Sequence, residues 1–225
     1  MTGPAPETGP ASETGPGPMT VVRLVRLYAV SRRIPAAVLV IAACAIGLRI
    51  ALIGHWDAYG ALQLPLIFEA AAAVSVVAVV ASPFGEPERV TGAWLPALRL
   101  AVTAALTLAA VGLLAAAGAS GGGHLSGGPL DVLRNVAGIT GIGLLCAAAL
   151  GGGLSWTGPI GYLVAAVFGL YTQWHPPALT TPWLWPARPP HDLGGALCAA
   201  LVFACGMTAV TILGALDRPG DPPTT

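Results

Sequence analysis

Six stretches of roughly twenty residues, each almost free of charge, recur between Ile34 and Leu216. A helix needs ~20 mostly apolar residues to cross a hydrocarbon core ~30 Å thick, and backbone in lipid must satisfy its own hydrogen bonds. That leaves helices as the fold for runs of this length. The windows cover about Pro35 to Ile53, Leu62 to Ala81, Leu95 to Ala117, Val132 to Leu150, Pro159 to Tyr171 and Leu193 to Leu216. The fifth is short unless it is extended to Trp156–Trp174. With 55% of its 225 residues hydrophobic and 9% charged, the chain carries more apolar surface than a water-soluble fold of this size covers. The expected fold is therefore all-α: a polytopic membrane bundle of six transmembrane helices.

The few charges set an orientation. All ten basic residues are arginines, and the chain contains no lysine. Arg23, Arg26, Arg32 and Arg33 precede the first span, Arg89 and Arg99 lie between the second and third, and Arg218 follows the sixth. These fall on one side of the membrane. The opposite side offers Arg188, while Arg49 and Arg134 fall inside helices. The positive-inside rule makes the arginine-rich side cytoplasmic, so both termini are expected inside. Trp56, Trp94, Trp156 and Trp174 near the expected helix ends suit an interfacial aromatic belt. An even helix count is required, and the short fifth helix is where that count is most exposed.

Outside the spans, residues 1–19 carry Thr-Gly-Pro at 2–4, 8–10 and 14–16 and read as a disordered cytoplasmic tail. Residues 20–33 alternate Val21, Val22, Leu24, Val25, Leu27 and Tyr28 with arginines, the pattern of an amphipathic helix in the membrane interface. The plainer alternative is a cytoplasmic extension of the first membrane helix. The spans then occupy 34–216, and 217–225 form a short C-terminal tail.

Ionisable residues inside a membrane are costly and are functional candidates by default. Arg49 and Glu69 fall at similar depths on consecutive helices, so an intramembrane Arg49–Glu69 ion pair is expected. It would serve either to fix helix packing or to face a translocation path. Arg134, close to Asp131, is expected to pair locally or snorkel to the surface. His55, His124, His175 and His191 lack metal-ligand spacing, and no metal site is expected. Cys44, Cys146, Cys198 and Cys205 read as apolar fillers of helix interfaces. No serine has a nucleophile-elbow setting, and no catalytic residue is expected. The glycine-rich stretches 121–123 and 151–153 read as turns, and Gly138, Gly141 and Gly143 as a close-contact face of the fourth helix. A phosphate-binding loop needs a lysine, so this chain holds no standard ATP site and no cofactor of its own. The lipid bilayer is an expected partner, and nucleic acid is not.

Two connections stand out. Ser82 to Arg99 gathers Glu86, Glu88, Arg89 and Arg99 around Pro83 and Pro87, which suits either a short polar helix that docks a cytoplasmic partner or a solvated turn. Gln173 to His191 holds six prolines with Trp174, Trp183 and Trp185, so it cannot be one helix and reads as a re-entrant or interfacial element.

The layout resembles an ABC-2-type transporter permease, and the local sequence resembles actinobacterial membrane subunits of that kind. The strings that carry the likeness are Gly85-Glu-Pro-Glu-Arg, Leu133-Arg-Asn-Val-Ala-Gly-Ile-Thr-Gly-Ile-Gly-Leu-Leu and Pro182-Trp-Leu-Trp-Pro. The resemblance implies a cell-membrane protein, an exporter in direction, that pairs with a second membrane subunit and a separate ATP-binding subunit. It also implies that Glu86, Glu88 and Arg89 form the coupling element to that ATPase. The chain departs from the family in having no sizeable domain outside the membrane, which leaves an accessory or scaffold role as the main alternative and an intramembrane enzyme, with only Arg49, Glu69 and Asp131 to act, as a lesser one.

Overall fold

The computed structural model describes residues 29–30, 32–53, 58–80, 94–119, 127–171 and 178–213. The described residues are all-helical, without strands, and six helical runs are long and apolar enough to cross a membrane. The chain is a multi-pass membrane protein. Its helices are α1 (Ile34–Ile53), α2 (Ala58–Val80), α3 (Trp94–Ala119), α4 (Gly128–Leu150), α5 (Thr157–Leu170) and α6 (Leu193–Leu213). Both α2 and α4 begin four residues before the hydrophobic windows that announced them, because helix continues into less apolar sequence.

Prolines open these helices. Pro35, Pro96, Pro129 and Pro159 lie in the first turns of α1, α3, α4 and α5, where a missing N–H costs nothing and the fixed φ favours helix. Pro65 is the exception, inside α2. α4 ends at Gly151, whose φ of 93° is open to glycine. A 3-10 turn, Gly152–Leu154, then reverses the chain into α5, with Ser155 Oγ donating to Gly152 O at 2.8 Å. The 14 residues of α5 reach only ~21 Å. Together with that turn they make a 19-residue apolar run, Gly152–Leu170, which restores the sixth crossing.

Helices α2 and α4 form the centre, with 61% and 67% of their spans buried against 17% for α6. Each of three buried clusters draws on both. Ile41, Leu48, Val76, Leu114 and Val136 join α1, α2, α3 and α4. Val77, Leu144 and Val210 join α2, α4 and α6, while Leu66, Ile139 and Ala166 join α2, α4 and α5. The outer faces are apolar too: Leu39 and Ile46 on α1, Leu108 on α3, Phe168 on α5 and Leu201 on α6 are exposed. Exposed apolar surface all round a bundle suits lipid as solvent.

Below, the proximal end is that at which α1 starts, and the distal end that at which it finishes. At the proximal end Arg32, buried, donates to the Val80 carbonyl at 2.8 Å and so ties the start of α1 to the last turn of α2. Arg33 has φ 56°, a left-handed conformation that breaks the helix between Val30 and Ile34. Ala29–Val30 therefore do not run straight into α1, as a plain extension of that helix would require. The remainder of the expected interfacial helix, residues 20–28 and 31, lies outside the described residues, as do both tails and the 81–93 connection with Glu86, Glu88 and Arg89.

Glycines set the closest approach. A Cβ on Gly141 would lie 2.6 Å from the backbone N and Cα of Phe203, and one on Gly206 would lie 2.6 Å from the Gly141 carbonyl oxygen. α4 and α6 thus meet backbone to backbone. Gly138 opens toward Trp185 and Ala199, whereas Gly143 faces Val77 of α2 and Pro159 of α5. The three glycines therefore serve two faces of α4 and not one, because Gly143 is two residues, about 200°, around the helix from Gly141.

Candidate intramembrane polar site

Glu69 of α2 is 2% exposed, deep within a helix that crosses the membrane. Its partner is Asn135 of α4, whose Nδ2 donates to Glu69 Oε2 at 2.9 Å. The expected Arg49–Glu69 ion pair does not form. Arg49 Nη1 is buried without a hydrogen-bond partner among the described residues. The depths match, but the helix faces do not. Phe68 packs against Gly47 of α1, so Glu69, one residue on and about 100° around, turns away from α1 toward α4. Leu66, Ala70 and Ala73 share that side of α2, packed with Ile139 of α4.

One residue before Asn135, Arg134 is buried at the distal end of α4 and forms an ion pair with Asp131, one helical turn earlier. Its Nη1 donates to the Pro189 carbonyl at 2.8 Å, and its Nη2 reaches the Arg188 carbonyl at 3.3 Å. Local pairing is therefore combined with a second task, that of holding the segment before α6. Arg188 continues the chain of contacts. Its Nε and Nη2 donate to the two oxygens of Asp192 at 2.6 and 3.0 Å, and its Nη1 donates to the Leu179 carbonyl at 2.8 Å. Asp192 also accepts from the Gly195 N–H at 2.6 Å, which makes it the N-cap of α6. The Arg188 guanidinium foremost holds the Asp192 carboxyl below the usual carboxylate range against the opposing effect of burial, and the Gly195 amide adds a smaller lowering. The same bond raises Arg188 above its ordinary value.

The proline-rich segment packs as two 3-10 turns, Ala178–Thr180 and Trp185–Ala187, on the distal end of the bundle. Of its described tryptophans, Trp183 is 50% exposed, whereas Trp185 is 1% exposed and lies inside the bundle. Trp185 is driven inward because Gly138 leaves room for the indole. There it stacks on Tyr162 of α5 with ring centroids 4.6 Å apart. Tyr162 Oη donates to the Trp183 carbonyl at 2.9 Å. Leu184 sits over Gly169, which adds α5 to the elements that hold the segment.

Beside Arg134 a cleft of about 680 Å³ opens between α3, α4 and α6. Thr107, Leu108, Leu133, Ala200 and Phe203 line its length, and Arg134, His191 and Asp192 sit at its distal rim. The arrangement can hold opposite charges at a membrane boundary and admit an apolar group beneath them. Among the described residues no three His, Cys, Asp or Glu side chains converge as a metal site. All four cysteines are free thiols.

Asn135, Tyr162 and Trp185 were not singled out by the sequence as site residues. Asn135 left one signal, an amide inside an apolar run that had to find a partner at the depth of another buried polar group. No family model, curated protein or solved structure matches the chain.

Proposed function

We propose that the chain is the membrane-spanning subunit of an ABC-2-type exporter of the cell membrane, paired with a second membrane subunit and driven by a separate ATP-binding subunit. The observation that carries this reading is the polar interior: Glu69 and Asn135 at depth, joined along α4 by Asp131 and Arg134. Replacing buried polar pairs by apolar side chains is often neutral or stabilising, so a bundle built only to stand in the membrane has no energetic need of them. The layout adds support. A helix break at Arg33 precedes α1, six spans follow, and a packed surface element precedes α6. In this reading the arginine-rich side, with both termini, is cytoplasmic, and Glu86, Glu88 and Arg89 contact the ATPase.

A second reading, a non-transporting scaffold or accessory subunit, is favoured by the inward use of Arg134, whose bonds tie α4 to the segment before α6. Co-purification with an ATP-hydrolysing subunit, release of that subunit by Glu86→Lys with Glu88→Lys, and ATP-dependent flux in proteoliposomes are expected of the transporter. A stable complex without an ATPase, or one indifferent to both charge reversals, would refute it. Reporter fusions at either end should report the cytoplasm.

A further inference from the structure

We infer that the cleft between α3, α4 and α6 is a lipid site that seats one acyl chain of a zwitterionic, amine-bearing phospholipid, with the headgroup at the Arg134–His191–Asp192 rim. The inference does not depend on the chain being a transporter. Below the rim the lining asks for hydrocarbon. Thr107, a hydroxyl in its lower part, already donates to the Thr103 carbonyl at 2.8 Å, and the α6 wall is kept low by alanines such as Ala200. Its surroundings are lipid-facing, since Leu108, Leu130 and Leu193 are exposed on the helices that bound it. The depth fits one leaflet. From Asp192 to Phe203 the wall spans ~16 Å, about half of a ~30 Å hydrocarbon core.

The rim sits where a headgroup would lie, at the second turn of α4 and the N-cap of α6. Arg134 and Asp192 line it with opposite signs, each balanced by a partner just outside the cleft, Asp131 and Arg188, so the rim offers both signs without a net charge. A headgroup with both a phosphate and an ammonium complements such a rim. Arg134 and His191 face the phosphate and Asp192 the amine, whereas a purely anionic headgroup gains nothing from Asp192. Arg134 Nε is also without a hydrogen-bond partner among the described residues.

The full chain, purified in detergent from vesicles containing equal phosphatidylethanolamine, phosphatidylcholine and phosphatidylglycerol, is expected to retain phosphatidylethanolamine, read by native mass spectrometry. Enrichment over phosphatidylcholine should be about tenfold, as one charge-assisted contact provides. Ala200→Trp fills the cleft and should abolish retention, while Leu201→Trp, on the exposed face beside it, should not. Asp192→Asn keeps a good N-cap but loses the charge, and should erase the amine preference. Retention by a folded Ala200→Trp, or equal retention of all three lipids by the unmodified chain, would overturn the proposal. Should Ala200→Trp not fold, phosphatidylethanolamine with a photoreactive acyl chain decides on the unmodified protein. Crosslinks concentrated at Thr107–Leu108 and Ala196–Phe203 support the site, and even labelling of Leu39 and Ile46 on α1 refutes it.

Discussion

The close approach of α4 and α6 makes Gly141→Ala the sharpest single test of the fold. The new Cβ would lie 2.6 Å from Phe203 N and Cα and 2.7 Å from Val202 C. All of these are backbone atoms, so no rotamer change relieves the clash. Ordinary Cβ contacts begin at 3.4 Å, so α6 must withdraw by several tenths of an ångström along its tightest contact. Overpacking of this kind costs ~3 kcal/mol at the upper end of its usual range. The better helix propensity of alanine returns ~1 kcal/mol. The net loss is about 2 kcal/mol, or roughly thirtyfold in the folding equilibrium. Gly112→Ala on α3 is the matched control, because nothing lies within 4 Å of its Cβ position. There only the propensity term acts, and the variant should gain ~1 kcal/mol. Reversible unfolding by a denaturing detergent, followed by circular dichroism, measures both. Equal effects of the two substitutions, or a Gly141→Ala variant as stable as the unmodified chain, would show that α4 and α6 do not meet backbone to backbone.

Arg134→Ala leaves Asp131 without its ion-pair partner and frees the Pro189 carbonyl, so a loss of about 3–5 kcal/mol is expected. Joint replacement by Asp131→Leu and Arg134→Leu should cost less than Arg134→Ala alone in the same unfolding assay. Trp185→Ala should cost ~3–5 kcal/mol and raise hydrogen exchange across residues 178–192, while Trp183→Ala, half exposed, should stay within ~0.5 kcal/mol. Asn135→Leu strips Glu69 of its donor and should destabilise by ~1–3 kcal/mol, a loss largely recovered in the double variant with Glu69→Leu if the two are coupled. A depressed carboxyl stabilises the fold above its unfolded pKa and loses that contribution as pH falls through its folded pKa. The Gly195 amide resonance should therefore titrate with Asp192 at a midpoint below about 3.9, and a midpoint above it would contradict the Arg188 bond.

The number and approximate placement of the membrane crossings were legible in the sequence because lipid imposes a length and a composition on each helix independently of its neighbours. Even the short α5 was visible as the weak member, but the expected extension to Trp156–Trp174 did not reach the 3-10 turn Gly152–Leu154 that lengthens it, because glycines 151–153 read only as a turn. Likewise the prolines announced an irregular element, as the described residues 178–192 are, since no helix accommodates them. Depth along each helix could also be counted, and it placed Glu69 correctly within the bundle.

Rotation about each helix axis could not be counted in the same way. Helices α1, α2 and α6 have no distinct polar face, so nothing announces which neighbour each side meets. Only packing decided that Phe68 takes the α1 side and Glu69 the α4 side. Only packing split Gly141 from Gly143 and drew Trp185 inward onto Tyr162 while leaving Trp183 outside. The six apolar runs thus determined that the chain crosses a membrane and how often, since solvent acts on each run alone. Which buried polar groups meet, and where a cleft remains between α3, α4 and α6, were decided by side chains from distant runs competing for the same space.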